Sequence, residues 1–181
     1  MNKISYSKED AVKELETINF WINNSDTKAS ITLGLIGVVF TIIFSDNSFI
    51  NLTIQLLQKV IVELDFSDIL FLLFLSLSFY FIIYGIYKIC KVLIPKLKIN
   101  GLISKSLTYY GYISTLTKDD YKNMIKNANN EDIFDDLLNQ IYINSNICNK
   151  KFNNYKDGLL IFIIGLLLNI LICFSGIIVY L

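Results

Sequence analysis

Three apolar stretches without a charged residue divide the chain: Ala29 to Ser45, Ile69 to Tyr87 and Leu159 to Leu181. Each has roughly 17–23 residues, enough for a helix to cross a hydrocarbon core of about 30 Å. The few polar side chains inside them (Thr32, Thr41, Ser76, Ser78, Asn169 and Ser175) can hydrogen-bond within a helix or a bundle. The intervening segments carry helical periodicity of their own. Val12, Leu15, Ile18 and Ile22 recur at helical spacing, behind Ser7 and Asp10 in capping-box register. Ile50, Ile54, Leu57, Ile61 and Leu64 form another stripe, suited to lying against headgroups or packing on the span ends. Pro95 stops the helix leaving the second span. Thr117 with Asp120 predicts a short helix from Lys118 to about Ala128, and Asn130 is placed to cap a long one from Glu131. The seam of that helix, Phe134, Leu137, Ile141, Ser145, Cys148, Phe152 and Tyr155, steps by threes and fours like a heptad. No Gly or Pro interrupts it before Gly158, so it is expected to run on into the third span. The pattern predicts an all-α membrane protein in one domain over residues 1–181, with spans 29–45, 69–94 and 159–181. An N-terminal amphipathic helix precedes the first span, and a helical segment, 95–157, joins the second to the third.

Lysine placement orients the spans. Lys3, Lys8, Lys13 and Lys28 precede the first, only Lys59 lies between the first two, and the other eleven lie between Tyr87, where the second charge-free run ends, and Leu159. The positive-inside rule therefore puts the N-terminus and residues 95–157 in the cytoplasm, with the first loop and Leu181 outside. Trp21 fits an interfacial anchor. Composition agrees with membrane residence, at 54% hydrophobic residues. The first span starts too late, behind a mixed-charge amphipathic segment, for a cleaved secretory signal.

Composition also narrows the chemistry. There is no His, and all sixteen basic residues are Lys. The commonest general base near neutral pH is therefore missing, and no phosphate loop, nucleophile elbow or paired-Cys motif stands in its place. An enzyme is not expected, nor a metal site or a cofactor. Cys90, Cys148 and Cys173 are scattered and imply no disulfide framework. A net charge of zero gives no electrostatic reason to bind a nucleic acid polymer.

Three groups of residues are candidates for function. Asp26, Lys28 and Ala29 mark where the first span enters the bilayer: either boundary signals or a charged ring at the mouth of an oligomer. Tyr109, Tyr110 and Tyr112 surround Gly111, offering aromatic faces for a base beside a backbone open to close approach. Lys105, Lys150 and Lys151 could meet a phosphate as point charges. A Tyr-rich turn can equally be local packing. The carboxylates Asp119, Asp120, Glu131, Asp132, Asp135 and Asp136 read as complements to helix N-termini.

Read in order, these segments resemble the Pycsar transmembrane effector family. Asp26-Thr27-Lys28-Ala29-Ser30 is similar to the family's Asp-x-Lys-Ala element ahead of the first span. Pro95, Tyr109-Tyr110-Gly111-Tyr112-Ile113 and Lys118-Asp119-Asp120-Tyr121 follow as its aromatic-Gly region does. Asp136-Leu137-Leu138-Asn139-Gln140-Ile141 and Lys151-Phe152 resemble its Gln-Ile … Lys-aromatic helix. Lys91, Lys96 and Lys150 stand where members commonly carry Arg, and no separate cyclic-nucleotide-binding barrel is encoded.

The resemblance implies an antiviral effector in the bacterial inner membrane, partnered functionally with a pyrimidine cyclase. It would bind cyclic UMP or cyclic CMP, impair membrane integrity as a homo-oligomer and cause abortive infection. The ligand site would be built from the inter-span segment, with Tyr109, Tyr110, Gly111, Lys105 and Lys151 as its candidates. Phe134, Leu137, Gln140, Ile141 and Phe152 would form the coupling helix. The rival reading is a regulatory or structural membrane subunit that binds a protein partner through the Phe134–Tyr155 seam. A small constitutive channel or transporter is a second rival, although spans with no ionisable residue in their interiors argue against a proton- or ion-coupled transporter.

Overall fold

The computed structural model describes residues 6–45, 51, 54, 55, 58, 65–94 and 106–180. Its continuous helices are α1 (Lys8–Ser45), α2 (Phe66–Leu93), α3 (Tyr110–Ile113), α4 (Lys118–Asn127) and α5 (Asn130–Tyr180), residues 51, 54, 55 and 58 are helical as well, and there is no strand among the described residues. Three of them, α1, α2 and α5, contain stretches long and apolar enough to cross a membrane. Pro95, Lys105 and most of the 50–64 stripe lie outside the described residues.

The helix starts are set by local side-chain chemistry. The Asp10 N–H donates to Ser7 Oγ at 3.2 Å, and the Ser7 N–H returns a bond to the Asp10 carboxylate at 3.0 Å. That reciprocal pair satisfies donors which the first turn of α1 would otherwise leave open. Thr117 does the same for α4 through the Asp120 N–H, also at 3.2 Å. For α5 the cap is Asn129 rather than the expected Asn130. Asn129 Oδ1 accepts from the N–H groups of Glu131 and Asp132 at 2.9 and 2.8 Å. Asp132 in turn accepts from the Asn129 N–H at 3.0 Å. Of two adjacent Asn residues, the one with a carboxylate three positions on completes the box. Once started, α5 is a single helix of 51 residues.

The chain forms two compact units, Met1–Asp26 with Ile94–Phe152, and Thr27–Leu93 with Asn153–Leu181. In the second unit α2 runs antiparallel to α5, as two contacts fix. Lys88 bonds Asp157 at 2.9 Å near one end, and Asn169 donates to Ser78 Oγ at 3.1 Å further along. α1 joins them through Thr32 Oγ1 and the Tyr155 hydroxyl, 3.2 Å apart. Ala29, Ile36, Ile82, Ile89, Val92 and Phe162 make the core. Helix association in lipid lacks a hydrophobic drive and depends on close backbone approach. Three glycines supply it: a Cβ on Gly85 would lie 2.6 Å from Phe162 N, and one on Gly165 would lie 2.7 Å from Ile82 N. One on Gly158 would lie 2.9 Å from Ile89 Cγ1 and 3.0 Å from Gly85 O.

In the first unit the opening turns of α1 pack on those of α5 in parallel. Tyr6 meets Phe134 at 6.2 Å between ring centroids, and Asn144 donates to Asn19 at 2.9 Å. Trp21 then meets Phe152 edge-on at 6.2 Å. The residue numbers rise together on both helices, which is what parallel packing means. The α5 seam departs from the heptad expectation at Ser145, which is exposed, while Ile143 is buried. Leu137 is buried as expected, and Phe134, Ile141, Cys148 and Phe152 are half-buried. A straight helix drifts about 20° per heptad against a 3.5-residue repeat, so a heptad stripe slides off the contact line.

Candidate functional site

The polar features of the first unit converge on Asp136, on the second turn of α5. Its carboxylate, buried with its residue at 8% exposure, accepts from the Leu107 N–H at 3.1 Å and from Thr108 Oγ1 at 2.8 Å. It also accepts from Gln140 Nε2 at 3.1 Å, and Gln140 bonds Thr108 Oγ1 as well. One carboxylate thus ties the backbone leading into the Tyr turn to the long helix. Ser106 Oγ accepts from the Tyr109 N–H at 3.0 Å and fixes the next step of that backbone. A pocket of about 370 Å³ opens beside this node, lined by Ser106, Leu107, Met124 and Asn127 together with Asp132, Asp135, Asp136 and Asn139.

The turn itself shapes Tyr109 and Tyr110 differently. A Cβ on residue 111 would lie 2.5 Å from the Tyr109 ring, so only Gly admits the ring at that position. The group approaching Gly111 is therefore the chain's own Tyr109, held half-buried, and burial pushes its phenol pKa up. Tyr110 stays 66% exposed, its ring centroid 5.0 Å from that of Tyr109 at 50°. One aromatic face is packed and the other is open.

Lys151 is placed elsewhere. Its ammonium bonds the Asp26 carboxylate, and its side chain is only 8% exposed against 35% for Asp26. It also stands eleven residues beyond Gln140 on α5, about 16 Å of helix rise from the residue that holds Thr108. The structure therefore does not bring Lys151 to the Tyr turn, but pairs it with a residue singled out in the first-span motif. Of the other two in that motif, Ala29 is fully buried in the second unit and Lys28 is exposed. Asp136 is the residue that sequence reasoning passed over. Its pattern, an acid near a helix start, is the commonest role of such residues, and nothing local separates it from Asp135.

If Asp136 anchors the turn, Asp136→Ala leaves the part-buried Leu107 N–H without its acceptor. The expected cost is about 1–3 kcal/mol, read as a lowered unfolding temperature in detergent. Asn139→Asp should leave that temperature nearly unchanged, since Asn139 is exposed on the pocket rim.

These features define an integral membrane protein with three candidate spans, whose first, more polar helical unit carries an aromatic turn and a pocket. Comparison with known proteins then places it. The chain belongs to the Pycsar effector family: residues 10–179 match the family model described as a Pycsar effector protein domain. It is 32% identical over 173 residues to the Pycsar effector protein GmPycTM of Gulbenkiania mobilis, with 87% of each chain covered. No solved structure matches. The protein is accordingly a membrane effector of anti-phage defence.

Proposed function

We propose that this effector binds a cyclic pyrimidine mononucleotide, cyclic UMP or cyclic CMP, on the 95–157 segment and then impairs the integrity of the inner membrane. The observation that carries the reading is the tether at Asp136. It joins the turn bearing Tyr109 and Tyr110 to α5, a helix unbroken from Asn130 to Tyr180. A ligand on the turn acts on the same helix that supplies the third span. The open Tyr110 face is suited to stacking on the base, as aromatic platforms do for any nucleobase. Phosphate has no place in a pocket lined by three carboxylates, whereas the N–H edge of a pyrimidine can donate to one, Asp135 being free of the turn network. Lys105, next to the turn in sequence, supplies the cation for the phosphate. Membrane damage follows when the ligand binds one packing of an oligomer more tightly than another. The segment 95–157 and the N-terminus face the cytoplasm, where a cyclase product is made. Parallel packing of α1 on α5 supports placing the two on one side of the membrane, and the lysine excess around them makes that side the cytoplasm.

Tyr110→Ala should weaken nucleotide binding about 10–100-fold in calorimetry, equivalent to roughly 1–3 kcal/mol of lost stacking, with membrane insertion unchanged. Unaltered affinity would move the base away from the turn. For the orientation, an impermeant thiol reagent should label a Cys placed at Asn47 in intact cells but not Cys148, and labelling of Cys148 from outside would reverse it.

A further inference from the structure

The lipid-accessible surface of α2 is not uniformly apolar. Ser76, Tyr80, Tyr84, Tyr87 and Lys91 fall within about 80° of arc at 3.6 residues per turn, and all but Lys91 lie in the charge-free run. The three tyrosines are 59%, 38% and 53% exposed. They form a ladder: Tyr80 stacks on Tyr84 at 5.9 Å and 3°, and Tyr84 on Tyr87 at 6.3 Å and 26°. Lysine ammoniums extend it at the end of the helix, Lys88 at 5.8 Å over Tyr84 and Lys91 at 5.7 Å over Tyr87.

An interfacial aromatic belt explains Tyr87, beside Lys88, but not Tyr80. Tyr80 lies eight residues before Lys88, about 12 Å of rise inside the bilayer, and helical side chains lean toward the N-terminus, here deeper still. Its hydroxyl makes no hydrogen bond to a described residue of the chain. Hydrocarbon offers it no partner, so a phenol ladder reaching mid-bilayer is placed against water or protein, not lipid. On the same arc toward the other end of α2, Ile69 and Leu73 are exposed and purely apolar. The face is thus polar for one half of its length and hydrophobic for the other.

We infer that this face of α2 lines an ion path enclosed by copies of the chain, with the Ser76–Lys91 half forming a wetted vestibule and Leu73 with Ile69 the constriction that closes it. This deepens the membrane-impairing reading above and rests on it. Hydrophobic constrictions hold a pore shut by excluding water, and a polar substitution there wets them. The vestibule needs several copies, because one helix face cannot enclose water. Lys91 at its mouth attracts anions.

The test uses the full chain in proteoliposomes, with the native cysteines changed to Ser and ion flux as the readout. Leu73→Ser should leak at least tenfold faster than the parent protein without any nucleotide. Separately, Tyr84→Cys and Tyr87→Cys should each lose most of the flux evoked by cyclic UMP or cyclic CMP after treatment with a charged, impermeant thiosulfonate. A silent Leu73→Ser together with unmodified, fully conducting Cys variants would overturn the inference while leaving nucleotide-evoked flux standing. Absence of evoked flux in the parent protein would instead sink the function reading. The Leu73→Ser leak then still decides the path by itself: present, it supports this face, and absent, it removes it.

Discussion

Gly85→Leu is expected to abolish stable accumulation of the protein in the membrane. The Cβ alone would lie 2.6 Å from Phe162 N, 2.8 Å from Gly158 O and 2.8 Å from Phe162 Cα. All three are backbone atoms of α5, so no rotamer change relieves the clash, and α2 must move away bodily. Separation would open the Ile82–Ile89–Phe162 core and stretch the Ser78–Asn169 and Lys88–Asp157 bonds on either side. One inserted methylene in a packed interior costs about 1–3 kcal/mol, and four carbons against backbone cost more. Gly34→Leu is the matched control, because a Cβ there meets nothing within 4 Å. It should stay within about 0.5 kcal/mol of the parent protein. Membrane-fraction yield and unfolding temperature in detergent separate the two. Equal behaviour of the pair would mean that α2 and α5 are not in backbone contact.

The Asp26–Lys151 ion pair of the first unit gives the second large effect, and its two halves should differ. Asp26→Ala leaves the Lys151 ammonium buried with its carboxylate gone. Removing one partner of a buried pair costs about 3–5 kcal/mol, the lower end applying where the survivor keeps other contacts, as Lys151 does. Lys151→Met leaves Asp26, which is about a third exposed and reaches water, while the Met stem keeps the apolar packing. Its cost should be near 1 kcal/mol or less. The asymmetry appears in thermal unfolding as a much larger drop for Asp26→Ala. A larger drop for Lys151→Met would show that burial is not what governs this pair.

Much of the fold was legible because it is local. Uncharged apolar runs announce the spans, and Ser7 with Asp10 and Thr117 with Asp120 announce helix starts through bonds that reach three residues. Even the misplaced cap at Asn130 was wrong by one position, because two adjacent Asn residues compete and Asp132 decides. The site was far less legible. Lys151 finds Asp26 across 125 positions, and Asp136 finds Leu107 across 29. No periodicity links such pairs. Lys151 therefore read as a phosphate contact and Asp136 as a dipole complement, whereas the folded chain makes the first a helix-to-helix tie and the second the anchor of the Tyr turn. Gly111 misled in a similar way, since openness to close approach was visible and the approaching group, Tyr109, was not. The Gly85 contact with Gly158 was hidden for the same reason: each glycine has meaning only opposite the other.

The proposed function requires that this membrane chain itself receive a cyclic pyrimidine nucleotide. Isothermal titration of the detergent-solubilised full chain with cyclic UMP, cyclic CMP, cyclic AMP and cyclic GMP tests it without any assumption about membrane damage. Saturable heat is expected with one of the two pyrimidine nucleotides, at least tenfold tighter than with either purine. No heat with all four, from protein shown to be folded by its thermal transition, would contradict the account and favour an effector triggered through a protein partner on the Phe134–Tyr155 face.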